Sequence, residues 1–325
     1  IIKGGWQLSE GHSAGTGTDP LADMEAFSAA GITTFDCADI YTGVEALIGR
    51  FLRLRREQQG HCDDIQILTK CVPDRAALPT LAREDIERII DRSLQRLGVE
   101  RLDVVQFHWW DYAVPGMEQA ALWLQELQHA GKIRLLAGTN FNTQAVQRLL
   151  DAGVQLASLQ VQYSLLDRRV EQQLAALCQR HGIGLLCYGT VAGGFLGERW
   201  LQRPQPQSPL ENRSLTKYKL VIDECGGWDF FQHLLQVLAV IAARHGVSIA
   251  NVAARHVLDC RQVAGLIIGA RSAAHLQDNL GVFALQLDAA DRAAIAAVCA
   301  EAKGLGGDVF DLERVTTGPH AAIMR

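Results

Sequence analysis

Short apolar runs alternate with longer segments of helical spacing along most of the chain. A helical stretch from Pro20 to Ala30 stops at Gly31, and Ile32-Thr33-Thr34-Phe35 then reads as a strand ending on Asp36. Helical spacing from about Val44 to Glu57 leads to a second run, Ile65-Gln66-Ile67-Leu68-Thr69, ending on Lys70. The amphipathic segment Ala82 to Leu97 ends at Gly98, which suits the left-handed position that closes a helix. Leu102 to Phe107 runs up to His108, and a helix from Met117 to Ala130 is closed by Gly131. The strand Ile133 to Gly138, a helix from about Thr143 to Asp151 and the strand Leu159 to Tyr163 continue the order. A helix from Arg168 to His181 and the strand Ile183 to Tyr188 follow.

After Tyr188 the alternation pauses. Residues 190–228 are rich in glycine and proline and poor in periodic apolar positions, and so long a loop in a compact domain usually carries function. The part from 197 to 228, with Trp200, Tyr218 and Trp228, is expected to fold over a site as a lid. Helical spacing returns from Asp229 to His245 and from Ser248 to Asp259. Ala264 to Ile268 is the last strand and leads to a helix beginning near Ser272. A final helix, about Ala289 to Ala300, precedes an irregular tail over 303–325. With Lys3 to Trp6 as the first strand, eight strand–helix units are present. Regular alternation means a parallel sheet, and eight units without a composition break predict a closed (β/α)8 TIM barrel, an α/β fold in a single domain over 1–325. A doubly wound open sheet is the alternative, but no G-x-G-x-x-G follows an early strand.

Composition narrows the function classes. The net charge of −5 argues against a nucleic-acid surface, which needs a basic excess. No apolar run reaches the roughly 18–20 residues that span a bilayer, and the chain reads as cytoplasmic, with no membrane partner. The start carries no basic-then-apolar leader, and the lack of an initiator Met suggests a few residues upstream. Eight cysteines are spread without a C-x-x-C pair, so they read as reduced thiols and not as a disulfide frame or metal site. Cys37 and Cys71 follow Asp36 and Lys70 directly, and alternation in an extended chain turns each to the opposite face from its neighbour. Oligomeric state leaves no trace in the pattern.

Candidate chemistry sits at strand ends, where barrel enzymes carry it. Asp36, Tyr41, Lys70 and His108 supply a carboxylate, a phenol, an ammonium and an imidazole from successive strand ends. These types suit proton transfer to a carbonyl oxygen. Tyr41 is the candidate general acid, and because a free tyrosine titrates near 10, a neighbouring ammonium, Lys70, is expected to lower it. Asp36 holds Lys70 and offsets its burial. His108 aims the carbonyl.

The residues around these four carry a resemblance. Gly31-Ile32-Thr33-Thr34-Phe35-Asp36-Cys37-Ala38-Asp39-Ile40-Tyr41 resembles the G-x-x-x-F-D-T-A-x-x-Y block of the aldo-keto reductases, and Glu45 with Gly49 matches the E-x-x-x-G after it. Thr69-Lys70, Asp103 with His108, Gly138-Thr139-Asn140-Phe141, Gln160 with Tyr163-Ser164, and Ile268-Gly269-Ala270-Arg271-Ser272 with Asn279 are similar to that family's later blocks, in order. The resemblance implies hydride transfer between a nicotinamide dinucleotide and an aldehyde, ketone, alcohol or sugar lactol, with no metal. It implies that Asn140 and Gln160 bind the carboxamide, that Tyr188 stacks on the ring, and that Trp6 also belongs to the cofactor site. Gly189 to Leu196, including Gly193 and Gly194, stands in the place of the pyrophosphate loop, though Tyr-Gly-Thr-Val replaces the usual Tyr-Ser-Pro-Leu.

Gly269, Arg271, His275 and Asn279 fall at the adenosine end. Arg271 and a helix starting at Ser272 suit a 2′-phosphate, whereas Gly269, Ala270 and His275 stand where many NADPH-specific members carry other residues. NADP(H) is expected over NAD(H). Trp109 and Trp110, with Trp6, are expected to wall a pocket for a flat or sugar-like substrate. The alternative is a nucleotide-binding regulatory or sensor subunit of the same fold with little turnover.

Overall fold

The computed structural model describes residues 1–9, 19–270 and 272–323. Eight parallel strands close a barrel in sequential order: β1 (Ile2–Gly4), β2 (Thr34–Asp36), β3 (Gln66–Cys71), β4 (Leu102–Phe107), β5 (Ile133–Thr139), β6 (Ser158–Gln162), β7 (Gly184–Tyr188) and β8 (Val263–Gly269). This is the (β/α)8 TIM barrel that the alternation predicts. Two compact units are distinguishable within the chain, one of Ile1–Gln160, Arg180–Gly184 and Ile267–Ala274, the other of Val161–Gln179, Leu185–Leu266 and His275–Arg325.

In the first unit the helices are α1 (Pro20–Ala29), α2 (Val44–Gln59), α3 (Arg83–Leu97), α4 (Met117–His129) and α5 (Thr143–Asp151). Their ends follow local chemistry. Asp19 accepts the Leu21 amide ahead of Pro20, Asn142 accepts the Ala145 amide at the start of α5, and Gly98 closes α3 at φ 67°. β3 and β4 pair so that Lys70 lies opposite Gln106. Alternation then turns Thr69 to the helix layer, where its hydroxyl donates to Glu45 of α2 at 2.6 Å. Glu45 also pairs with Arg96 of α3. α2 and α3 cross so closely that a Cβ on Gly49 would stand 2.3 Å from the Arg96 carbonyl. Cys37 and Cys71 are fully buried, and burial first, with nearby carboxylates, pushes both thiols up.

The second unit contains α6 (Leu174–His181, up to Gln179), α7 (Arg213–Cys225), α8 (Gly227–His245), α9 (Ile249–Leu258), α10 (Leu276–Ala284), α11 (Ala289–Ala300), α12 (Asp311–Arg314) and α13 (Pro319–Ile323). Its core gathers Phe195, Ile222, Phe231, Leu234 and Leu238 with Leu166. Several boundaries differ from the sequence expectation. β1 ends at Gly4 and Trp6 opens a 3-10 turn. The expected helix from Arg168 becomes a turn, Arg169–Glu171, followed by α6. The stretch 190–228 is not structureless: α7 buries Leu215, Tyr218, Ile222 and Cys225 at helical spacing, and Trp200 and Trp228 pack onto Phe195 and Phe231 at 4.7 and 4.8 Å. Those aromatic residues therefore anchor the segment to the unit's own core. Among the described residues no single helix is long and apolar enough to cross a membrane.

Candidate active site

Asp36, Lys70 and His108 stand at the ends of β2, β3 and β4 in the first unit, and Tyr41 follows in the loop after β2. Asp36, Lys70 and His108 are buried, while Tyr41 is half-buried. Lys70 Nζ donates to Asp36 Oδ2 at 2.9 Å and to the Cys37 carbonyl at 2.8 Å, and it lies 5.0 Å from the centroid of the Tyr41 ring. The Asp36 carboxylate and the Tyr41 ring thus meet around the Lys70 ammonium, while the printed partners of His108 are Thr139, Trp110 and Phe141.

Asp36 is held from the far side by two residues of the barrel interior. Gln106 on β4 and Gln160 on β6 both donate an amide N–H to Asp36 Oδ1, at 2.8 and 2.7 Å. The Oε1 of Gln160 accepts the Thr139 hydroxyl at 3.3 Å. Gln106 is absent from the sequence expectation. The signal was available, because Gln106 lies two residues before His108 on the same strand, so both point the same way.

Burial sets the electrostatics. It pushes the Tyr41 phenol above its ordinary value, and the charge and hydrogen bond of Lys70 pull it back only in part, with Asp36 adding to the rise. The sign of the Lys70 effect is the one expected, but the net direction is the reverse of a lowered phenol. Burial also opposes the Lys70 ammonium, yet Asp36 and Tyr41 outweigh it and the amine is held above its usual range. His108 Nδ1 faces the Thr139 carbonyl at 3.2 Å. A carbonyl only accepts, so Nδ1 carries the proton of that bond and a neutral ring presents Nε2 as an acceptor.

Trp110 meets the His108 ring edge-on at 4.7 Å and donates its indole N–H to the Pro73 carbonyl. It also lines a cleft of ≈ 490 Å³ with Asp39, Ile40, Val72, Arg75 and Arg92. Trp109 does not serve as a pocket wall. It is fully buried against Phe107 and donates to the Val114 carbonyl, because the neighbour of an inward residue on an extended strand end turns outward into the helix layer.

The residues proposed for a dinucleotide fall into both units. In the first, Trp6 is partly exposed, Asn140 adopts φ 58° while its amide donates to the Gln160 carbonyl, and Gly269 is exposed at the end of β8 with Gln7 in the space a side chain would take. Asp23 Oδ1 accepts the Ala273 amide there, and Ser272 Oγ accepts that of Ala274. In the second, Tyr188 is half-buried with Lys217 Nζ 5.3 Å from its ring. Gly189, Gly193 and Gly194 adopt φ of 74°, 65° and 101°, and the first two pack directly on Tyr218. The close approach those glycines permit is thus to α7. Leu196 is fully buried in the unit's core, so its side chain does not face a ligand. His275 is exposed in a short turn, Asn279 is half-buried on α10, and Arg271 lies outside the described residues.

A parallel barrel with an acid–base group at its strand ends defines a barrel enzyme. The aldo/keto reductase family model matches residues 1–300, and the chain belongs to that family of oxidoreductases. It is similar to the NADH-specific methylglyoxal reductase of Escherichia coli, with 27% identity over 286 residues that cover 80% of this chain and 81% of the relative. Among solved structures, the glycerol dehydrogenase of Gluconobacter oxydans shares the fold with a TM-score of 0.77 and 22% identity, over 94% of this chain and 93% of the other. An aldo/keto reductase of Klebsiella pneumoniae, solved with NADP and acetate, has a TM-score of 0.68 and 22% identity over the same shares.

Proposed function

We propose that the chain reduces aldehyde or ketone carbonyls, or oxidises the matching alcohols or lactols, with a nicotinamide dinucleotide. The observation that carries this is the meeting of Tyr41, Lys70 and Asp36 around one buried ammonium. When bound, the reduced nicotinamide supplies the hydride to the carbonyl carbon. The residues present fit it: Gln160 carries an amide donor and acceptor at the strand ends, held to Thr139 by a long 3.3 Å bond, and Asn140 stands beside it. NADP(H) is preferred in this proposal on the position of Arg271 beside Ser272, and the Klebsiella structure holds NADP; the name of the E. coli relative sets NADH against it.

Tyr41 gives its proton to the carbonyl oxygen as the carbon is reduced. The phenolate left behind is stabilised by Lys70, whose charge Asp36 keeps in place. His108 hydrogen-bonds the same oxygen. Because Nδ1 donates to Thr139, Nε2 donates to that oxygen as the imidazolium, in reduction and in its reverse alike, since the alcohol's single hydroxyl proton passes back to Tyr41. Trp110, edge-on to His108, supplies an apolar wall for the rest of the substrate. A panel of aldehydes, ketones and polyols, run with NADPH and with NADH and compared by kcat/KM, tests the proposal. Steady turnover on some member supports it. A single slow oxidation of one bound dinucleotide, without turnover on any member, would replace it with a sensor role.

A further inference from the structure

Asp36 Oδ1 takes two amide donors, and one belongs to the residue proposed to bind the nicotinamide carboxamide. Gln160 is weakly tied elsewhere: among the described residues its other side-chain bond is the 3.3 Å contact from Thr139, well beyond the usual 2.7–2.8 Å of a hydroxyl donor. Gln106 is tied more oddly. It is completely buried, and its Oε1 has no hydrogen-bond partner among the described residues. An orphaned buried acceptor is destabilising, so a Gln here is not explained by packing, which an apolar residue of the same shape serves better. Its one side-chain bond among the described residues is the N–H to Asp36. Lys70 opposite it in register fixes the strand level at which both side chains reach that carboxylate.

We propose that Gln106 is a positioning residue that retains Asp36 when the carboxamide of the dinucleotide draws Gln160 away. This rests on the dinucleotide reading above. Without Gln106, the transfer of Gln160 leaves the buried Asp36 Oδ1 with no amide donor, and dinucleotide binding bears that loss. With Gln106 present, Asp36 stays anchored and Lys70 stays aimed at Tyr41. Gln160 thus changes partners while the ion pair behind Tyr41 does not move.

The test is a thermodynamic cycle on dinucleotide affinity, read by calorimetry or quenching of tryptophan emission. Gln106→Met is expected to weaken NADP(H) or NAD(H) binding about tenfold in the wild-type background, the equivalent of about 1.4 kcal/mol. In a Gln160→Met background the same change is expected to alter the Kd less than twofold, because no donor is left to hand over. ADP-ribose, with or without a 2′-phosphate, lacks the carboxamide and is expected to bind Gln106→Met and wild type equally, which also shows that the variant is folded. Gln106→Leu repeats the cycle should the Met variant lose ADP-ribose binding. Equal weakening in both backgrounds, or unchanged dinucleotide affinity in Gln106→Met, would overturn the proposal. Failure of the wild-type chain to bind any nicotinamide dinucleotide would remove the parent reading instead.

Discussion

Lys70 and Asp36 form a buried ion pair at 2.9 Å, with both side chains almost wholly withdrawn from solvent. Removing one partner leaves the other charged in a site that water does not reach, a loss of about 3–5 kcal/mol for buried pairs. Asp36→Asn is therefore expected to lower stability by that order, and Lys70→Met likewise. The double variant Asp36→Asn with Lys70→Met is expected to recover much of the stability and none of the turnover. Urea unfolding of the three variants checks the first part, and turnover on an accepted carbonyl checks the second.

Asp39 gives a pH signature in the same loop. Burial first, then the Glu45 charge, pushes its carboxyl up to about 7, with Arg92 and the Val72 backbone opposing. The guanidinium it faces is that of Arg92, at 3.7 Å. The folded value lies above the unfolded one, so folding favours the protonated form. The stability this group contributes is fully present below about pH 4 and is lost as the pH rises to about 7. Asp39→Asn is expected to raise the melting temperature at pH 8 and to leave it almost unchanged at pH 4. Equal effects at both values would contradict the assignment.

The direction of the reaction has its own pH dependence. Carbonyl reduction needs the proton on Tyr41, whereas alcohol oxidation needs the Tyr41 phenolate to receive it. Reduction is therefore expected to fall, and oxidation to rise, as the pH increases. The limb is set by the Tyr41 phenol, which burial raises, so His108→Gln is expected to raise the KM for the carbonyl and to leave the limb in place. Profiles of kcat/KM in both directions decide this; a limb that moves in His108→Gln would assign it to the imidazole.

Gly49 acts through packing. Gly49→Ala places a Cβ where the Arg96 carbonyl stands at 2.3 Å, and the backbone of α3 has to give way. A loss of about 1–3 kcal/mol or more is expected, with the dinucleotide Kd little changed in the folded fraction.

Much of this was legible in the chain. Alternation of strand and helix spacing gave the barrel, and the placement of Asp36 and Lys70 at strand ends anticipated their ion pair. Three things were hidden. The helix α7 was masked by the glycines and prolines around it, although Leu215, Tyr218, Ile222 and Cys225 keep helical spacing. The burial of Trp109 needed the strand's phase to be followed one residue past His108. The net direction of the Tyr41 phenol depends on how much water its neighbours exclude, and sequence spacing does not report that.

The role of Tyr41 as the proton donor is tested most directly by Tyr41→Phe, which keeps the ring against Lys70 and removes only the hydroxyl. Turnover on the best carbonyl from the panel is expected to fall by about 10²–10⁴-fold, with the dinucleotide Kd changed less than twofold. Turnover within a few-fold of wild type would contradict the account.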